Sequence, residues 1–272
     1  NVENPFTTRI KYARSKGCKV FAGMRMNDVH WADDPDFLMN SDFWREHPEL
    51  RCASYRDDWS GQALDYSRPE VRNHYLALVH EYLERFDFDG IELDWMRTPP
   101  HLRPGFEVSQ KDCITDFIRE TRKIADESAG KRKHDVKIFV RVPSRPEDAL
   151  RNGFDVPLWI REKLIDHLTV SNYFAATDFD PPVELWRMIV GNDLPLSVGL
   201  DINCMQHPGV KAGFRNTAEI VFGFTSSFLY RGANSIYLFN HMDGRSAMYD
   251  KKQFENVLKL AGSRETAEIQ RR

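Results

Sequence analysis

The sequence predicts an α/β chain of the (β/α)8 TIM-type barrel class, a single domain over residues 1–272 whose first strand is missing or irregular. Three observations predict it. Strand-like and helix-like segments alternate along the whole length, the pattern of a parallel sheet with helices outside it. No glycine-rich phosphate loop follows any strand, which disfavours the open doubly wound alternative. Seven strand candidates, plus an opening helix that lacks its strand, make up the count of eight.

The elements follow in order. Thr7 to Lys16 reads as a helix and Lys19 to Met26 (KVFAGMRM) as a strand. An irregular stretch rich in Asp, Trp and Pro runs from Asn27 to Gln62, and Ala63 to Tyr66 is a short strand candidate. Ser67 then caps a helix, with Pro69 in its first turn and Glu70 three residues after the cap. Val71, Tyr75, Leu78, Val79 and Tyr82 form its apolar stripe, which ends near Phe86. Gly90 to Met96 is the next strand. Helices near Gln110–Ser128, Pro157–Lys163, Val183–Val190, Thr217–Tyr230 and Lys252–Leu260 then alternate with strands at Val136–Val142, His167–Phe174, Leu196–Ile202 and Ser235–Phe239, and a charged tail closes the chain. Trp44, Trp159 and Trp186 lie in helical context and are assigned to the core.

Composition narrows the function. The chain has 272 residues, 41% hydrophobic and 29% charged, as in an ordinary globular protein. Its net charge of -3, from 38 basic and 41 acidic residues, makes no electrostatic case for nucleic acid or an anionic membrane. No apolar run approaches the ~20 residues that span a bilayer. Cys18, Cys52, Cys113 and Cys204 are widely spaced with no CxxC pair, and are read as free thiols. The nine histidines form no HxH or HExxH, so no metal and no cofactor is expected; Asp28 and His30 are an isolated pair. No nucleophile elbow is present. The chain begins at Asn1 with no signal pattern, so localisation and oligomeric state stay open.

The richest segment is Phe86 to Arg97, FDFDGIELDWMR. Side chains alternate along a strand, so Ile91, Leu93 and Trp95 share one face while Gly90, Glu92, Asp94 and Met96 share the other. Acids inside a core strand are costly unless they face a polar cavity, and a barrel keeps its chemistry at the C-terminal ends of its strands. Applied to every strand, the same parity gathers Arg25, Asn27, Glu92, Asp94, Asp201 and Tyr237 on the inner side. Paired carboxylates suit cleavage of a glycosidic bond: one protonates the leaving oxygen, the other attacks the sugar or activates water. Catalytic roles are therefore expected for Asp94 and a second acid, Asp201 or Glu92. The residues expected to bind substrate are Arg25, Asn27, His30, Trp31, Arg97, Arg141, Asn172, Tyr173, Tyr237, Asn240 and His241, with Ser144 and Asp243 nearby. Asn, His and Arg donate to hydroxyls or anionic groups, and aromatic faces stack on pyranose rings. Clustering of Arg25, Arg97 and Arg141 suits a sulfated or uronic sugar.

FDGIELDWMR, preceded by ALDYSRPEVRNHYLALVHEYLERF, together with RMNDVHW, HPEL and IYLFN, resembles the "family 10-like" glycosyl hydrolase barrels of carbohydrate-degrading bacteria. The resemblance runs from Val20 to Asn240 and implies a TIM-type barrel acting on a poly- or oligosaccharide, in a periplasmic or secreted setting. Family 18 glycoside hydrolases are more distantly similar: their DGxDxDxE strand ends in the acid that protonates the leaving group. Here Met96 stands at that position, which puts a chitinase-type mechanism in doubt. In many retaining barrels the acid/base ends strand four and the nucleophile ends strand seven. With one strand missing, that analogy implies Asp94 as acid/base and Asp201 as nucleophile. The rival reading is a carbohydrate-binding barrel without catalysis. A third is a lyase or metal-dependent hydrolase using Asp28, His30 or His241.

Overall fold

A computed structural model describes residues 4–55, 59–97, 99–173, 177–204, 214–241 and 251–271. The chain is α/β and divides into two compact units, Asn1–Arg141 with Ala149–Asp166, and Val142–Asp148 with His167–Arg272.

The first unit opens with α1 (Pro5–Ser15), whose N-cap Asn4 accepts from the Phe6 N–H at 2.9 Å. Strand β1 (Phe21–Arg25) follows, then a long excursion carrying the short helix α2 (Asp42–Glu46). Helix α3 (Pro69–Arg85), strand β2 (Gly90–Asp94), helix α4 (Lys111–Arg132) and strand β3 (Lys137–Pro143) complete two βα repeats. The helices α5 (Pro146–Arg151) and α6 (Val156–Arg161) come next. Strand β2 pairs in parallel with β1 on one side and β3 on the other. Strand alternation works as expected: Ala22, Met24, Ile91, Leu93, Ile138 and Val140 are buried, as are Val71, Val79 and Leu83 of α3 and Ile114, Phe117 and Ile118 of α4. On the other sheet face Gly90 is obligatory. A Cβ there would lie 2.2 Å from the Lys137 carbonyl and 2.6 Å from the Phe21 ring, which instead packs on Phe139 with centroids 4.1 Å apart.

The second unit repeats the plan with β4 (His167–Ser171), α7 (Val183–Val190), β5 (Leu196–Asp201), α8 (Ala218–Tyr230), and then β8 (Ser235–Phe239), preceded between β5 and α8 by the two-residue antiparallel pair β6 (Asn203–Cys204) and β7 (Phe214–Arg215). Strands β4, β5 and β8 are parallel, with β5 in the middle. All six residues of β5 are buried. Gly199 admits β4 closely, since a Cβ would meet that of Ser171 at 2.4 Å. Helices α9 (Lys251–Leu260) and α10 (Arg264–Arg271) end the chain.

Three expectations need correction. Ala63–Tyr66 is not a strand: Leu64 makes a single antiparallel bridge to Arg51, so six parallel strands, not seven, are present among the described residues. The count that made Gly90–Met96 the fourth strand therefore falls, though β2 and β5 remain three strands apart in chain order, as strands four and seven would be. Ser67 does not cap α3; Arg68 occupies that position without a side-chain bond, and the Ser67 N–H donates to Asp65 Oδ1 at 2.8 Å. The charged tail is helical, because Ala267 is fully buried and anchors α10 against the unit's other helices. Trp44, Trp159 and Trp186 are all buried.

Candidate functional site

At the C-terminal ends of the first unit's strands, the register puts Arg25, Asp94 and Arg141 side by side on one sheet face. The row beneath it is Gly23, Glu92 and Phe139, and the row below that Phe21, Gly90 and Lys137. Asp94 is buried, and its Oδ2 accepts from Arg141 Nη1 at 3.0 Å. Its Oδ1 accepts from the Met96 N–H at 2.9 Å. Arg141 is 3% exposed, so this ion pair is shielded from water on both sides. Glu92 is half-buried on the same face.

A second layer of charge sits at the mouth. Arg25 Nη1 donates to Asp28 Oδ2 at 2.5 Å, His30 Nδ1 donates to Asp28 Oδ1, and Arg97 Nη2 donates to His30 Nε2 at 3.2 Å. Burial would raise the pKa of Asp28, but the hydrogen bonds from His30 and Arg25 outweigh it and hold the carboxyl below its ordinary value. The Arg97 pKa is lowered, first by burial and then by the like charge of Arg25; Asp28 and Asp94 oppose this and Arg141 adds to it. Arg25, Arg97 and Arg141 thus stand among three carboxylates, Asp28, Glu92 and Asp94, and guanidinium groups so placed can donate to an anionic or hydroxyl-rich ligand. Trp31, 58% exposed and held at φ 61°, stands beside this layer with its ring 5.2 Å from that of Phe37.

Asn27 takes a different place from the one expected. It is 1% exposed, and its amide is engaged internally: Nδ2 donates to the Leu64 and Pro100 carbonyls and to His101 Nδ1, while Oδ1 accepts from the Leu64 N–H. It braces the mouth and does not face a ligand. His101, which the sequence reading missed, is its partner. Nε2 of His101 donates to the Trp95 carbonyl at 2.7 Å, and burial lowers its pKa to about 4, so the ring is neutral. Its only signal in sequence is a histidine directly after Pro99-Pro100, close behind the acid strand. Met96, at the position of the family 18 acid, is 2% exposed and packed in the core.

In the second unit Asp201 ends β5, buried. Its Oδ1 accepts from the Asn203 N–H at 2.8 Å and its Oδ2 from Asn240 Nδ2 at 3.4 Å. Asn240 is exposed and held at φ 60°. Tyr237 lies opposite Gly199 in register, half-buried. Asn172 and Tyr173 are half-buried just beyond β4, and burial raises the Tyr173 pKa. His241 is fully buried, with Nδ1 on the Phe239 carbonyl at 2.9 Å, and its Nε2 is buried without a hydrogen-bond partner among the described residues. Ser144 donates to Asp178 at 2.8 Å. Phe174 and Asp243 lie outside the described residues. Among the described residues no group of three or more His, Cys, Asp or Glu is set to hold a metal, and no helix is long and apolar enough to cross a membrane.

No protein-family model matches the chain. The 1,4-alpha-glucan branching enzyme GlgB of Methylobacillus flagellatus is 41% identical over 49 residues, 18% of this chain and only 7% of that enzyme. Catalytic domain 2 of the Group II chitinase of Ostrinia furnacalis superposes with a TM-score of 0.55 at 13% identity, over 96% of this chain and 82% of that domain. The glycoside hydrolase domain of PelA from Pseudomonas aeruginosa does so with a TM-score of 0.54 at 13% identity, over 86% of this chain and 83% of that domain. These likenesses are of fold: the chain shares the TIM-type (β/α) architecture of glycoside hydrolase domains.

Proposed function

We propose that this chain is a glycoside hydrolase, one domain over residues 1–272 and a member of the family 10-like group, that cleaves a poly- or oligosaccharide bearing anionic substituents. The observation that carries the reading is the buried Asp94 at a strand end, in register between Arg25 and Arg141. Kinship of fold with chitinase and PelA hydrolase domains supports the reaction class. In this proposal Asp94 supplies one carboxylate. Asp201, three strands on in chain order, supplies the second as nucleophile, with Glu92 next in line. Arg25 and Arg97 orient a sulfate or uronate, Arg141 holds Asp94 in place beneath them, and Trp31 stacks on a sugar ring.

A second reading is favoured by two observations. Arg141 and a backbone N–H already engage both oxygens of Asp94, and Met96 stands where the related strand carries its acid. Both suit a barrel that binds carbohydrate without cleaving it. The experiment is release of reducing ends from a polysaccharide panel, sulfated and uronic polymers included, by wild type and Asp94→Asn. Cleavage lost by ~10³-fold in a folded Asp94→Asn protein supports the hydrolase. Binding without cleavage by either protein supports the second reading instead.

A further inference from the structure

A cavity of about 540 Å³ lies in the first unit and shares no lining residue with the Asp94 cluster. It is walled by the segment around the Arg51–Leu64 bridge, the N-terminus of α3 and the loop that enters α4. Its size is that of a small-ligand site. On its wall Asp65 is 2% exposed, yet no cation lies within ion-pair distance of it among the described residues. Ser67 is its hydrogen-bonding partner. Burial raises the Asp65 pKa, and the bonds from Ser67 together with the charges of Arg103 and Arg68 only partly offset this. Oε1 of Gln110, on the same wall, is buried with no hydrogen-bond partner. One buried acceptor, Gln110 Oε1, therefore lacks a donor beside an Asp65 carboxylate that draws its bonds from Ser67, and a ligand hydroxyl can supply the missing donor.

The donors wanted are hydroxyls, not a free cation. Arg68 and Arg103 also line the cavity, and both would repel a cation while donating to hydroxyl oxygens. A sugar hydroxyl donates and accepts at once, so it satisfies Asp65 and an arginine together. Tyr55, 79% exposed at the rim, offers a ring for stacking. We propose that this cavity is an accessory carbohydrate site, in which the Asp65 carboxylate accepts from vicinal hydroxyls of a neutral pyranose while Arg68 and Arg103 donate to it. It deepens the carbohydrate reading above, because a second site holds a long glycan on the protein away from Asp94.

The test uses the full chain carrying Asp94→Asn, so that no probe is cleaved. Tetrasaccharides of glucose, mannose, xylose and N-acetylglucosamine are titrated by calorimetry against this protein and against versions that also carry Asp65→Asn, Arg103→Ala or Tyr55→Ala. Arg103 and Tyr55 are exposed, so two of the three variants keep the fold even if the first does not. A localising readout is alkylation of Cys113, which is half-buried on the cavity wall, in a Cys18→Ser background. Expected are a roughly tenfold or greater loss of affinity in each folded variant, about 1.4 kcal/mol, and slower Cys113 alkylation with sugar bound. Equal affinity in all variants, no binding of any tetrasaccharide, or Cys113 alkylation indifferent to sugar overturns the proposal. Wild-type cleavage lost in Asp94→Asn, together with any of these three outcomes, leaves the hydrolase standing and removes the accessory site. The opposite pattern removes the hydrolase and keeps the site.

Discussion

Replacing Arg141 by methionine isolates what holds the centre together. The guanidinium is 3% exposed and lies 3.0 Å from Asp94, whose side chain is 7% exposed. Methionine fills much of the same volume, so the change chiefly leaves a buried carboxylate without its partner. Breaking a buried pair from one side costs about 3–5 kcal/mol. Asp94 keeps its bond from the Met96 N–H and the attraction of Arg97, which places the expected loss near the lower end, about 3 kcal/mol. With a urea slope of about 3 kcal/mol/M, that lowers the midpoint by about 1 M. Urea titration followed by tryptophan fluorescence reads it, since Trp95 lies next to Asp94 and is fully buried. The double variant Asp94→Asn/Arg141→Met removes the charge as well, and should recover at least about half of the loss, a coupling of about 1.5 kcal/mol or more. A loss below about 1 kcal/mol in the single variant, or strict additivity in the double, refutes the idea that Asp94 depends on this partner.

Two further outcomes follow from particular contacts. Gly90→Ala forces a Cβ to within 2.2 Å of the Lys137 carbonyl, which cannot swing aside as a side chain would, so a loss of about 2–3 kcal/mol in a thermal or urea melt is expected; an unchanged melt contradicts the packing described. His101 titrates near 4 in the folded chain, against an ordinary value near 6.5 when unfolded, because burial disfavours its charged form. Its folded pKa is depressed, so its contribution is whole above about pH 6.5 and is lost as pH falls toward 4. The stability difference between wild type and His101→Ala, measured by urea titration at a series of pH values, should shrink across that window; a difference that stays constant from pH 7 to 4 sinks the assignment.

The sequence alone determined the elements whose signals are local. Apolar alternation marked Ser235–Phe239, and apolar spacing marked Val183–Val190, both found with those bounds. Parity along FDGIELDWMR separated Ile91, Leu93 and Trp95 from Glu92 and Asp94, because period two is a property of the strand itself. The tertiary structure decided everything that depends on partners distant in the chain. Arg141 meets Asp94 across 47 residues through strand register, which no local pattern encodes. Asn27, on the expected inner parity, was drawn into the brace with His101 across 74 residues, because the mouth needed its buried carbonyls satisfied more than it needed an exposed amide. Ala63–Tyr66 had the composition of a strand but found only one bridge partner, and pairing, not propensity, makes a sheet. Asp65 stood in sequence as an ordinary acid before a helix, and only the folding of three separate segments around one cavity buried it there beside Arg68 and Arg103.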